Sequence, residues 1–129
     1  MGKLVPDTQL DAMLAVLFAT ADRVDVCADT PTTYGNATTG GTYSLGNVTV
    51  TAGVGNGDWT AAAGDTSGRK VTMTQQTGVP VTNSGTATHI AWTDGSATLF
   101  GVTTCTSQAV TSGNTMTINA FDVELQDAA

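Results

Sequence analysis

The sequence predicts a mainly β fold: a β-sandwich or jelly-roll-like domain with one N-terminal α-helix. Three observations carry this. Short runs alternate apolar and polar residues (Val48-Thr-Val-Thr, Val71-Thr-Met-Thr, Met116-Thr-Ile and Phe121-Asp-Val-Glu-Leu125), the period of a sheet with one dry and one wet face. Gly, Asn and Ser separate these runs, as turn residues do. Helical periodicity is convincing only near the N-terminus, so the pattern lacks the crossover helices of an α/β fold.

The helix is expected over 7–22. Leu10, Met13, Leu14, Leu17, Phe18 and Ala21 recur at the spacing of one helical face, and Thr8 with Asp11 after Pro6 reads as a capping box. Its far side carries Ala12, Ala15, Val16 and Ala19 in place of Lys and Glu. Two readings follow: the helix lies across an open end of the sheet, or its second face packs against another subunit or a larger body. Val24–Cys27 is a first strand, so residues 1–28 form a helix-and-strand segment ahead of a β-sandwich domain at 29–129. Within that domain, Thr/Gly-rich stretches at 29–44 and 53–68 are predicted to be long loops anchored by Tyr34, Tyr43 and Trp59.

Strands are then expected at 69–75, 79–82, 87–93, 97–105, 108–111, 115–118 and 120–126. Asp94-Gly95 is expected to form a tight hairpin turn between Trp92 and Leu99, since this dipeptide tolerates positive φ. Val81-Thr-Asn-Ser-Gly-Thr86 echoes Val110-Thr-Ser-Gly-Asn-Thr115, a likeness of turn chemistry rather than a duplicated fold.

The chain has 129 residues, enough for one domain with a modest core. Charged residues make up 12%, against about 25% in ordinary globular domains, and about a fifth of the chain is Thr. The polar faces are therefore hydroxyl faces, with weak charge protection against contact with other chains. The net charge is −7, and the cations are Lys3, Arg23, Arg69 and Lys70. That is no basic footprint for nucleic acid, whose phosphates need clustered Lys and Arg. The nearly apolar run Ala12–Ala19 falls far short of the roughly 20 residues that span a bilayer. Pro6, Asp7 and Asp11 interrupt where the apolar core of an export signal would begin, which points to synthesis in the cytoplasm. In such a chain Cys27 and Cys105 are expected to be free, buried thiols in preference to a disulfide.

No catalytic constellation stands out. His89 is the one histidine; by alternation it shares a face with Ala87 and Ala91, expected to be the wetter or subunit-facing side. No nucleophile turn accompanies it. Gly53-Val-Gly-Asn-Gly57 lacks the spacing and the following helix of a phosphate-binding loop. Asp58 and Asp65 match a calcium loop poorly. The expectation is a protein with no enzymatic activity, cofactor or metal.

The segments Thr66-Ser-Gly-Arg-Lys-Val-Thr-Met73, Ser84-Gly-Thr-Ala-Thr-His-Ile-Ala-Trp-Thr-Asp-Gly95, Val102–Thr115 and Ala120-Phe-Asp-Val-Glu-Leu125 resemble small β-rich structural proteins of tailed bacteriophages. Within that group they look most like head decoration, or cement, proteins. The resemblance implies a virion protein on the capsid exterior, assembled in the host cytoplasm, that binds the major capsid protein and stiffens the shell, commonly as a homotrimer. Under this reading the expected contact residues are Leu4, Val5, Leu14 and Phe18 around the helix and Tyr34, Tyr43 and Trp59 in the loops. A tail-fibre or receptor-binding β-module is the alternative, with the same loop aromatics touching a receptor or sugar.

Overall fold

The computed structural model describes residues 5–40 and 43–126. In chain order its elements are α1 (Asp7–Phe18), β1 (Arg23–Cys27), α2 (Tyr34–Thr38), β2 (Ser44–Thr49), β3 (Trp59–Ala63), β4 (Arg69–Met73), β5 (Gln76–Pro80), β6 (Gly85–Thr93), β7 (Leu99–Val110), β8 (Thr115–Ile118) and β9 (Phe121–Leu125). The class is mainly β with an N-terminal helix, as the alternating runs predict. The expected boundary after residue 28 is not where the structure divides. One compact unit holds α1, β3, β4 and β9, and the other holds β1, α2, β2 and β5 to β8. β1 leaves the helix because both its edges are paired within the second unit, to β2 and to β6.

In the first unit the sheet order is β3-β4-β9, antiparallel throughout. The register aligns Trp59, Met73 and Phe121 in one row and Ala61, Val71 and Val123 in the next. Residues two apart on a strand share a face, so these rows form one apolar surface. Leu10, Leu14 and Phe18, spaced by four on α1, are buried together with Trp59, Val71 and Met73. The Phe18 and Trp59 rings lie 4.6 Å apart, and Phe121 meets Trp59 edge-on at 6.2 Å.

Two details of α1 differ from expectation. The capping box does not form: Pro6 is the N-cap and no side chain caps the first turn. Asp11 instead accepts a hydrogen bond from Arg69 Nε at 2.7 Å, which ties the helix to β4. The helix also stops at Phe18, whose carbonyl accepts from the Gly53 N–H at 2.9 Å. β3 lies inside the expected loop 53–68, and Trp59 is its first residue.

The second unit contains a four-stranded antiparallel sheet, β2-β1-β6-β7. β5, β6, β7 and β8 are two stretches of one long hairpin, because β6 pairs with β7 and β5 pairs with β8. The hairpin bends where the two echoing sequences meet. Val81 donates its N–H to Asn114 and accepts from Gly113, at 2.9 and 3.0 Å. The Ser84 hydroxyl accepts from the Ser112 N–H at 2.9 Å. Shared turn chemistry therefore serves both strands of a single corner, the device by which strands pass from one layer to another. Beyond the corner the β5–β8 ribbon lies against β2. Leu45 O accepts from the Thr82 and Asn83 N–H groups at 2.8 and 3.2 Å, and a Cβ at Gly46 would collide with the Pro80 carbonyl.

The Asp-Gly hairpin forms between β6 and β7 with a connection of residues 94–98, and Gly95 has φ +70°. The strands expected at 97–105 and 108–111 are one strand, β7. Its register with β6 jumps so that Cys105, Thr106 and Ser107 bulge opposite Thr88.

The expected loop 29–44 is not featureless. Thr33 caps α2 by accepting the Asn36 N–H at 3.1 Å, and Ala37 is buried against Cys27 and Ala91. Both cysteines are free, Cys27 buried and Cys105 partly exposed. They stand on β1 and β7 with β6 between; two strand spacings are about 10 Å, beyond disulfide reach. Burial pushes the Cys27 thiol up to about 12, with Asp25 and Cys105 adding to the effect. Its Sγ donates to the Ala37 carbonyl at 3.6 Å.

Candidate interaction surface

The expected contact residues separate by burial. Leu14, Phe18 and Trp59 are at most 1% exposed; they are the core of the first unit, not its surface. The physical reason is size, since large apolar side chains gain most from leaving water, and the i, i+4 stripe is the face the sheet takes. Tyr43 is half-buried against the cluster of Cys27, Ala37 and Ala91. Tyr34 is half-buried on α2, and its carbonyl accepts from the Thr38 hydroxyl at 2.9 Å. Val5 is half-buried, and Leu4 lies outside the described residues.

The apolar surface is elsewhere on the same helix. Met13, Val16 and Leu17 are 46%, 74% and 43% exposed, and among the described residues they are all of the exposed large hydrophobics. Ala12, Ala15 and Ala19 are exposed beside them, with no charged residue from Ala12 to Ala21. The far side was legible as unusually apolar. Met13 and Leu17, which the periodicity puts on one face with Leu10, Leu14 and Phe18, are exposed because the three-stranded sheet covers a narrower arc of the helix than that periodicity spans.

A second surface is the outer strand of the long hairpin. From Gly95 to Phe121 the chain has no charged residue, and Thr104, Thr106, Ser107, Gln108 and Ala109 of β7 are exposed. β9 is of the opposite character. There Asp122 accepts from Thr72 Oγ1 at 2.6 Å and from Lys70 Nζ at 3.1 Å, and Lys70 also reaches Asp65 at 2.8 Å. These partners, Thr72 foremost, lower the Asp122 carboxyl below its ordinary value. Glu124 Oε1 accepts the Thr66 and Ser67 N–H groups at 2.9 and 3.2 Å and so holds the β3–β4 turn.

The other candidates have structural partners. The His89 face is not the wetter one: Ala87, Ala91 and Thr93 on it are at most 5% exposed, and the ring meets Thr30 Oγ1 at 2.9 Å through Nε2 and Thr88 Oγ1 at 2.7 Å through Nδ1. Asp58 Oδ2 accepts the Thr51 N–H at 2.6 Å. Among the described residues no three His, Cys, Asp or Glu side chains are grouped so as to hold a metal ion, and no helix is long and apolar enough to cross a membrane. Compared with known proteins, the chain matches no family model, no curated protein and no solved structure.

Proposed function

We propose that this chain is a structural virion protein that binds the outer surface of an icosahedral phage shell, through the major capsid protein, and stabilises it. The observation that carries the reading is the surface: a long charge-free, hydroxyl-coated hairpin strand and an uncharged helix face. Such a surface adheres without chemistry. Each contact needs only a modest affinity where one copy touches several shell subunits at once, because linked contacts raise one another's effective concentration. Binding the assembled shell in preference to its free subunits then stabilises the assembly by mass action.

The receptor-binding alternative relies on the loop aromatics, and Trp59 is buried while Tyr34 and Tyr43 are half-buried, so it has less to work with. The test mixes purified protein with undecorated heads and with host cells and measures which it sediments with, alongside the melting of heads with and without it. Co-sedimentation with heads and a raised head melting temperature are expected. Binding to cells and not to heads would favour the receptor module.

A further inference from the structure

The chain holds six asparagines, and Asn56 is the one followed by glycine. Asn56 and Gly57 are both exposed, in the loop between β2 and β3. We propose that Asn56 is a site of spontaneous covalent modification in the folded protein: its side-chain amide is lost through a succinimide formed with the Gly57 nitrogen, leaving aspartate and isoaspartate. This goes beyond the shell-binding reading and does not depend on it.

The reaction needs water and hydroxide and no other reagent. The Gly57 N–H gives its proton to hydroxide, the nitrogen bonds to Asn56 Cγ, and the Cγ–Nδ2 bond breaks as ammonia leaves with a proton from water. Water then opens the ring. Attack at Cγ breaks the new N–Cγ bond and gives aspartate. Attack at the main-chain carbonyl breaks the original peptide bond and gives isoaspartate, with the backbone running through Cγ. One water is consumed in balance, one ammonia is released, and nothing is oxidised or reduced. Replacing the amide by a carboxylate makes the chain one charge more negative than its −7.

The loop leaves this reaction open. No side chain shields the Gly57 nitrogen, a Cβ there would meet nothing within 4 Å, and among the described residues no acceptor takes its N–H. The other asparagines precede Ala37, Val48, Ser84, Thr115 and Ala120, whose Cβ atoms crowd the attacking nitrogen where glycine has none. A single exposed bond, from Nδ2 to the Ala52 carbonyl at 2.9 Å, holds the Asn56 side chain. Breaking it frees the amide to turn toward Gly57.

Asp94-Gly95 is the internal contrast. An aspartate closes the same ring only when its carboxyl is protonated, because an oxide ion is a poor leaving group. Three N–H groups at 2.8 to 2.9 Å favour the ionised Asp94 carboxylate, and the Gly95 N–H is taken by Thr93 Oγ1 at 3.2 Å. Both dipeptides have a bare glycine nitrogen; the fold ties up one and leaves the other.

The experiment incubates the folded wild type and Asn56→Gln at mildly acidic and mildly alkaline pH, and the wild type also in guanidinium. Peptide mass spectrometry follows the gain of about 1 Da at each asparagine, and methyl transfer by an isoaspartyl methyltransferase reports isoaspartate. In the folded wild type Asn56 should convert about tenfold or more faster than any other asparagine, faster at the higher pH, to a product that contains isoaspartate. Its rate should stay within about tenfold of that in guanidinium. Asn56→Gln should lose the signal, since its longer side chain closes a larger ring slowly. Conversion of Asn56 no faster than the other asparagines, or conversion that begins only on unfolding, would overturn the inference. So would an isoaspartate signal that persists in folded Asn56→Gln.

Discussion

Arg23 and Asp25, two residues apart on β1, form a two-pronged ion pair: Nε donates to Oδ1 at 2.7 Å and Nη2 to Oδ2 at 3.0 Å. Asp25 is fully buried and accepts a third bond from the Ser44 hydroxyl at 2.7 Å. The same guanidinium reaches the Thr38 carbonyl at 3.3 Å. One buried carboxylate and its fork therefore bind β1, the start of β2 and the end of α2. Removing one partner of such a pair leaves an uncompensated group in the interior, at a cost of about 3–5 kcal/mol. Asp25→Ala should lower the unfolding free energy by less, about 1–3 kcal/mol in urea titrations, because the Arg23 side chain left behind is 25% exposed and keeps part of its hydration. Arg23→Lys should also destabilise, because an ammonium cannot reproduce the fork. A loss under about 1 kcal/mol for Asp25→Ala would contradict the network's role.

Trp92 on β6 lies over Gly101, its partner on β7. A Cβ at Gly101 would fall on the indole, 2.9 Å from Cε2 and closer still to Cζ2. The glycine is the space in which the indole lies, an aromatic-over-glycine contact between paired strands. Gly101→Ala should force the ring off its rotamer and cost about 1–3 kcal/mol. Thermal unfolding and the near-ultraviolet tryptophan signal would register it, the second even if stability is regained by repacking.

What was legible in the sequence was whatever follows from local periodicity. The strands at Arg69–Met73 and Thr115–Ile118 and the Asp94-Gly95 hairpin lie where alternation and turn chemistry place them, because a half-buried strand writes its two faces directly into residue order. β3 was hidden, since Trp59-Thr-Ala-Ala-Ala63 has little β-branching and follows a glycine run. α2 was hidden as well: five residues of Tyr-Gly-Asn-Ala-Thr have no helical stripe and owe their helix to the Thr33 cap and the burial of Ala37. The candidate surface was half legible. That α1 has an apolar far side is local information, but which apolar residues point outward depends on a sheet assembled from strands distant in sequence.

Phe18 and Trp59 test the division between core and surface. Both are fully buried, with rings 4.6 Å apart, so Phe18→Ala should cost about 3–5 kcal/mol by the loss of burial and the cavity left behind. Trp59 should emit at the short wavelengths of a buried indole. A Trp59 that emits like a solvated indole would return it to the surface. Trp92→Phe removes the second tryptophan and isolates the signal.

Asp94 gives the hairpin a pH dependence of definite sign. Its Oδ1 accepts the N–H groups of Thr98, Ala97 and Ser96 at 2.9, 2.8 and 2.9 Å, and these bonds, that of Thr98 first, hold the folded carboxyl well below the usual carboxylate value. A carboxyl whose folded value is depressed stabilises the fold fully above its unfolded value of about 4. That contribution is lost as pH falls below about 4 toward the folded value. Asp122, lowered by Thr72 and Lys70, acts in the same direction. Asp94→Asn keeps an oxygen acceptor for the three N–H groups and removes only the charge. Unfolding curves between about pH 2 and 6 should therefore show wild type more stable than Asp94→Asn at the upper end by a constant margin, and the margin should shrink as pH falls below about 4. A margin that is the same at both ends would mean that the turn is held by its backbone geometry and not by the ionised carboxylate.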